Sequence, residues 1–267
     1  MSKKYELLEK EDNGLHRIKA LRDIPTHNVK AGDLGGFIAK EANLSHEGDA
    51  WVLRDAQVFG NARVSGDAKV SGNVKVFEDA WVYGNAWVCV DAEVFENALV
   101  FGNALVSGVV KVSGNAEVYG NAQVAGQAMV YENAQVFEDA EVFGNAMVSG
   151  YAMVFGNAMV FGNARVNDSA EVSGNAMVSG NVKVSGDAEK TDSTDQEEKE
   201  VSKKEGIEGI LEERASRYGK FSDHARITQA IKLALKSGRS WAKMTDSQKE
   251  SLEMQAHKMG RIVNGDP

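Results

Sequence analysis

The chain has 267 residues, a formal net charge of −9 and a single cysteine, Cys89. One cysteine cannot form an internal disulfide and suits a reducing cytosol. No apolar run reaches the roughly 18 residues of a membrane span, and no apolar stretch follows the lysines of Met1-Ser2-Lys3-Lys4-Tyr5-Glu6 to make a secretory signal, so the expected location is cytoplasmic.

The charge is uneven. Residues 50–186 carry about −7 and 187–200 about −5, whereas 201–267 carry about +4. The acidic central segment argues against a nucleic-acid backbone as its partner, because such binding rests on Lys and Arg.

Residues 1–49 are expected to form an N-terminal β cap. Tyr5–Leu8 and Leu15–Leu21 read as two strands around the hairpin signal Asp12-Asn13-Gly14. A Gly-rich run, Val29 to Ile38, follows. His16, His27 and His46 lie in this segment, at a spacing that matches no metal motif. They read as ordinary cap histidines.

From Ala50 to Ala188 the chain repeats every six residues without insertion: small, x, Val, aromatic or Ser, Gly, Asn or Asp. A short fixed period is the signature of a solenoid. The small residue and the Val lie two apart, so they share one face of an extended segment, and that face must point inward. The x and aromatic/Ser slots then point outward. The Gly-Asn or Gly-Asp pairs fall at corners, where Gly accepts a strained backbone and Asn or Asp tolerates a left-handed conformation. Three hexapeptides per coil give about seven to eight coils. Cys89 occupies an outward slot usually held by Ser.

The runs His16–Asp23, Val29–Ile38 and Asn43–Val52, with the repeat behind them, resemble the opening of bacterial and phage proteins that carry left-handed β-helix hexapeptide repeats. Some of these are described as transferases and others as polymer-forming proteins. The resemblance covers residues 15–188. It implies a mainly β chain built on a single-stranded left-handed parallel β-helix, in the cytoplasm of a bacterial host cell. The period alone does not give the hand.

Sorted with a period of 18, the outer slots are unequal. One column reads Ser65, Tyr83, Phe101, Tyr119, Phe137, Phe155, Ser173. The neighbouring column on that face carries Trp81, Leu99 and Met153. Trp81, Tyr83, Leu99, Phe101, Tyr119, Phe137, Met153 and Phe155 are therefore the expected binding face. Aromatic ladders stabilise the sheet they decorate, but a large apolar patch also marks an interface. A homo-oligomer, dimer or trimer, is expected.

Left-handed β-helix acyltransferases, as a family, use a catalytic His and protruding loops. The related carbonic anhydrases hold a metal with three His. No His lies between Glu47 and Asp223 and no loop interrupts the repeat. Glu93, Glu117, Glu141 and Glu171 fall on outward slots. The acyltransferase reading is disfavoured, and no catalytic residue is assigned.

Residues 189–205 read as a charged linker with too few apolar residues to form a core. Residues 206–267 read as a small three-helix tail. Ile207, Ile210 and Leu211 start the first helix, Ile227, Ile231 and Leu235 mark the second, and Thr245 with Gln248 caps a third. Segments of this tail, from Ile210–Arg214 to His257–Pro267, resemble an uncharacterised helical domain of phage proteins. That domain is faintly similar to all-α nucleotide pyrophosphohydrolases, which hold Mg²⁺ with Glu and Asp on facing helices. Members of that family usually continue past the counterpart of Asn264-Gly265-Asp266-Pro267 into a helix with a pair of Asp, so a metal site built on this segment alone would be expected to lose half its ligands. Glu250, Glu253 and His257 could share one helix face and hold a divalent ion such as Mg²⁺. A polar face with local contacts is the plainer reading.

The function expected from all this is a non-enzymatic β-helix scaffold or binding protein, encoded by a phage or prophage. It would self-associate, or bind a host protein such as a defence factor, through its aromatic face. The alternative makes the solenoid an oligomerising handle for a nucleotide-hydrolysing tail.

Overall fold

The computed structural model describes residues 3–191. The expected three-helix tail, with Glu250, Glu253 and His257, lies outside the described residues, as does the linker from position 192.

Strands β1 (Tyr5–Lys10) and β2 (His16–Ala20) pair antiparallel, and β2 pairs antiparallel with β3 (Leu34–Ile38). The predicted hairpin is therefore present. β3 then pairs in parallel with Gln57–Val58. Beyond it the chain is a parallel β-solenoid with three faces. Face one runs from β3 through Gln57–Val58 to Lys183–Val184. Face two runs from Arg63–Val64 to Glu189–Lys190, and face three from Trp51–Arg54 to Met177–Val178. Faces two and three have eight strands each and face one has nine counted from β3. The solenoid thus has about nine turns, more than the seven to eight expected. The first turn was hidden because β3 and Leu44 join it without the hexapeptide pattern; Leu44 bridges in parallel to Val64. At the other end Glu189–Lys190 still pairs with Glu171–Val172, inside the stretch read as linker.

The inward slots behave as the pattern requires. Every Ala and Val of these slots from Ala50 to Val172 is buried. Burying a Val stabilises by roughly 1.5–3 kcal/mol, and each coil supports its neighbours. Coils are joined by a repeated set of backbone bonds. The x-slot N–H donates to the small-slot carbonyl of the next coil, as Trp81 does to Ala98 at 2.9 Å, and the fourth-slot N–H donates to Val, as Tyr83 does to Val100 at 3.0 Å.

The corners differ from the sequence reading in one respect. The left-handed backbone falls on the fifth slot, not on the Asn or Asp after it. Where Gly holds that slot, a Cβ would crowd backbone: at Gly102 it would lie 2.9 Å from the Gly120 nitrogen. Yet Glu78, Glu96, Glu132, Glu138 and Asp168 also occupy it with positive φ. Each carboxylate accepts from a backbone N–H one coil on; Glu78 receives Glu96 N–H at 2.9 Å and Glu138 receives Gly156 N–H at 2.9 Å. The acid offsets its backbone cost with a charge-assisted bond. The sixth-slot Asn residues form a different ladder, side chain to side chain: Asn85 donates to Asn103, Asn103 to Asn121 and Asn121 to Asp139. Glu138→Gly should therefore change stability by less than about 0.5 kcal/mol, whereas Glu138→Ala, which keeps the strain and loses the bond, should cost about 1–2 kcal/mol. Urea unfolding of both variants checks the difference.

The cap closes the open end of the coil with two buried polar side chains. The carbonyls of the first hexapeptide coil have no hexapeptide coil above them. β3 supplies two donors, Phe37 N–H to Ala56 and the adjoining Ala39 N–H to Val58. Asn43, fully buried, donates its amide to Ala62 at 2.7 Å and Gly60 at 3.3 Å. Lys4, also fully buried, donates its ammonium to Ala50 at 2.8 Å and Gly48 at 3.4 Å. Gly35 and Gly36 let β3 lie against the first coil: a Cβ on Gly36 would sit 2.6 Å from the Ala56 oxygen.

Candidate interaction surface

Face two carries the candidate site. Its fourth-slot residues are held one coil apart by the backbone ladder, so successive rings lie at the strand spacing. Tyr83, Phe101, Tyr119, Phe137 and Phe155 form one continuous stack, with centroids 4.8–5.0 Å apart and planes within 4° of parallel. Trp81 leans on Tyr83 at 4.6 Å and 39° and donates its indole N–H to Ser65 at 3.0 Å. Burial pushes the Tyr83 and Tyr119 hydroxyls above the usual phenol range, and the Glu117 carboxylate adds to it in both.

Each ring covers part of the next, so the stacked rings are only partly exposed, while Trp81 remains 40% exposed. The x column beside them is mixed. Leu99 sits between Trp81 and Glu117, and Met153 between Gln135 and Glu171. The residues expected as a binding face thus share one face. Glu117 and Gln135 separate Met153 from the Trp81–Leu99 end.

Shorter stacks stand elsewhere. Phe59, Phe77 and Phe95 stack on face one at 5.1 and 5.0 Å, and Phe143 stacks on Phe161 on face three at 4.9 Å. Tyr151, at a sixth slot where Asn is usual, is 69% exposed. Sequence reasoning missed it because it lies at a corner, outside the columns searched.

Cys89 is buried, its thiol pushed up to about 11 by desolvation, which works against a thiolate. Trp51 holds an outward slot and is nonetheless fully buried, against the expectation for that slot, because it lies at the cap end, where the Tyr5 ring meets it edge-on at 6.2 Å. His16 bonds the Leu8 carbonyl at 2.8 Å. His46 stacks on Tyr5 at 4.4 Å and reaches Glu41 at 3.1 Å. His27 is held below the usual imidazole range, first by desolvation and then by the Lys69 charge. Glu141, on face three, is raised by desolvation. Among the described residues no three His, Cys, Asp or Glu side chains cluster as a metal site, and no helix there is long and apolar enough to cross a membrane.

Residues 56–72 match the YdcK beta solenoid repeat family. No curated protein matches the chain. Unbroken hexapeptides, three parallel sheets and that match make this chain a β-solenoid repeat protein.

Proposed function

We propose that the chain is a non-enzymatic scaffold that associates with further copies of itself through face two. The observation that carries this is the five-ring stack flanked by the exposed Trp81. Such a surface gains most by being covered, because aromatic side chains bring large apolar area at low conformational cost. The resemblance of residues 15–188 to bacterial and phage hexapeptide proteins supports a left-handed coil and a phage or prophage origin, with the protein working in the bacterial cytoplasm.

Sedimentation of the wild type against Phe101→Ser/Phe137→Ser/Phe155→Ser tests the reading. The wild type should sediment as an oligomer and the variant as a monomer that keeps its β circular dichroism. A monomeric wild type overturns self-association. An oligomer untouched by the three changes moves the contact off face two.

A further inference from the structure

The three faces of the solenoid carry different charge in their x columns. Face one presents Lys75, Lys111, Arg165 and Lys183 against a single Glu93. Face two presents Glu117, Glu171 and Glu189 against a single Arg63. Face three is balanced, with Lys69 and Glu141. The net acidity of the solenoid hides this division, because corner acids such as Glu78, Asp79, Glu96 and Asp168 dominate the total. The four cations of face one are exposed. Lys111 also pairs with Glu93 within its own face, at 3.2 Å.

We propose that face two of one copy packs against face one of the next, with the two solenoid axes parallel and the coils level. The proposal rests on the self-association reading above and names the surface that face two meets. Both faces belong to the same coils, so they repeat with one pitch. A rotation about an axis parallel to the solenoid leaves every residue at its own height. On that register each face-one residue lies nearest in height to the face-two residue six positions further along the sequence, a third of the strand spacing higher, about 1.6 Å. Lys111 then meets Glu117, Arg165 meets Glu171, and Lys183 meets Glu189. Between the charged levels Met147 meets Met153, and Lys75 comes nearest to the exposed Trp81, a cation–aromatic match. Three charged levels oppose with opposite sign, while Glu93 falls opposite Leu99 and Met129 opposite Gln135. Pairing face two with a second face two would instead bring together two surfaces rich in Glu. The contact is heterologous, so each copy uses both faces and assembly continues past a pair.

Two surface variants test this. Arg165→Glu/Lys183→Glu makes face one acidic, and Glu171→Lys/Glu189→Lys makes face two basic. Each alone sets like charges against each other and should weaken association about tenfold or more in low salt. Mixed in equal amounts, each variant's altered face meets a complementary face on the other, and the oligomer should return in the sedimentation profile. Circular dichroism matching the wild type shows that both variants fold. If each variant alone assembles as the wild type does, the pairing of faces one and two is wrong while self-association stands. If both are weakened and mixing restores nothing, the pairing is also wrong. A monomeric wild type removes both readings.

Discussion

Replacing Val118 by Asp should cost more than about 4 kcal/mol and abolish the cooperative unfolding transition of the solenoid. Val118 is fully buried, in the middle of face two, with Val100 and Val136 in register on either side. A carboxylate there has no partner and no route to water, so it must either stay neutral or open the coil. Opening one coil removes the platform on which the next is stacked, since each repeat contacts only its neighbours. Val118→Ala should lose about 2–3 kcal/mol from transfer and cavity alone. Glu117→Gln, one residue away on the outward slot, should change stability by less than about 0.5 kcal/mol. Urea unfolding followed by circular dichroism measures all three. An Asp variant within about 1 kcal/mol of the wild type would show that the inward row is not a sealed core. Because Tyr119 adjoins Val118, the same variant should break the ring stack, and tyrosine fluorescence should report it.

The contrast between positions 117 and 118 is also why so much of the fold was legible. A Val that recurs every six residues, beside an Ala two before it, can satisfy only one arrangement of extended segments. The alignment of Tyr83, Phe101, Tyr119, Phe137 and Phe155 follows once three hexapeptides make a coil. The stack itself, and its partial self-burial, needed the strand spacing. The corner chemistry was harder to read. Glu96 and Val90 look like lapses from Gly, yet both take positive φ. Val90 is the more strained, as a β-branched residue in that region. The cap was least legible, because it contains no repeat. Nothing about Lys4 in sequence marks it as buried, and nothing marks Leu34–Ile38 as the first strand of the solenoid. The opposed charge of faces one and two was present in the sequence, but it emerges only when the x slots are summed by face rather than by segment.

Lys4 carries the second prediction. Its ammonium is fully buried and donates to Ala50 and Gly48, two carbonyls that no coil above can serve. Desolvation, helped by the Arg22 charge and opposed by Asp49 and Asp67, lowers its pKa from 10.5 to about 8. Below pH 8 the group is charged in both folded and unfolded chains, and the whole cost of burying the charge is present. Between pH 8 and 10.5 the unfolded chain holds the proton more tightly than the folded one. Stability therefore rises with pH across that window, and the neutral amine still donates to the Ala50 carbonyl. Lys4→Met leaves the Ala50 carbonyl without this donor, while Gly48 keeps the Arg22 guanidinium at 3.0 Å, and it removes the titration. At pH 7 the variant should be less stable by about 1 kcal/mol, the net cost of the lost bonds against the relieved charge. By pH 10 the gap should widen by a further 1–3 kcal/mol, on the order of the shift itself. Measuring the gap, rather than the wild type alone, cancels other groups that titrate in alkali, Cys89 among them. Urea unfolding of both proteins at the two pH values reads it directly. A gap that stays constant or narrows would mean that Lys4 meets water in the folded chain, and that the first coil's carbonyls on face three are capped by something other than a buried ammonium.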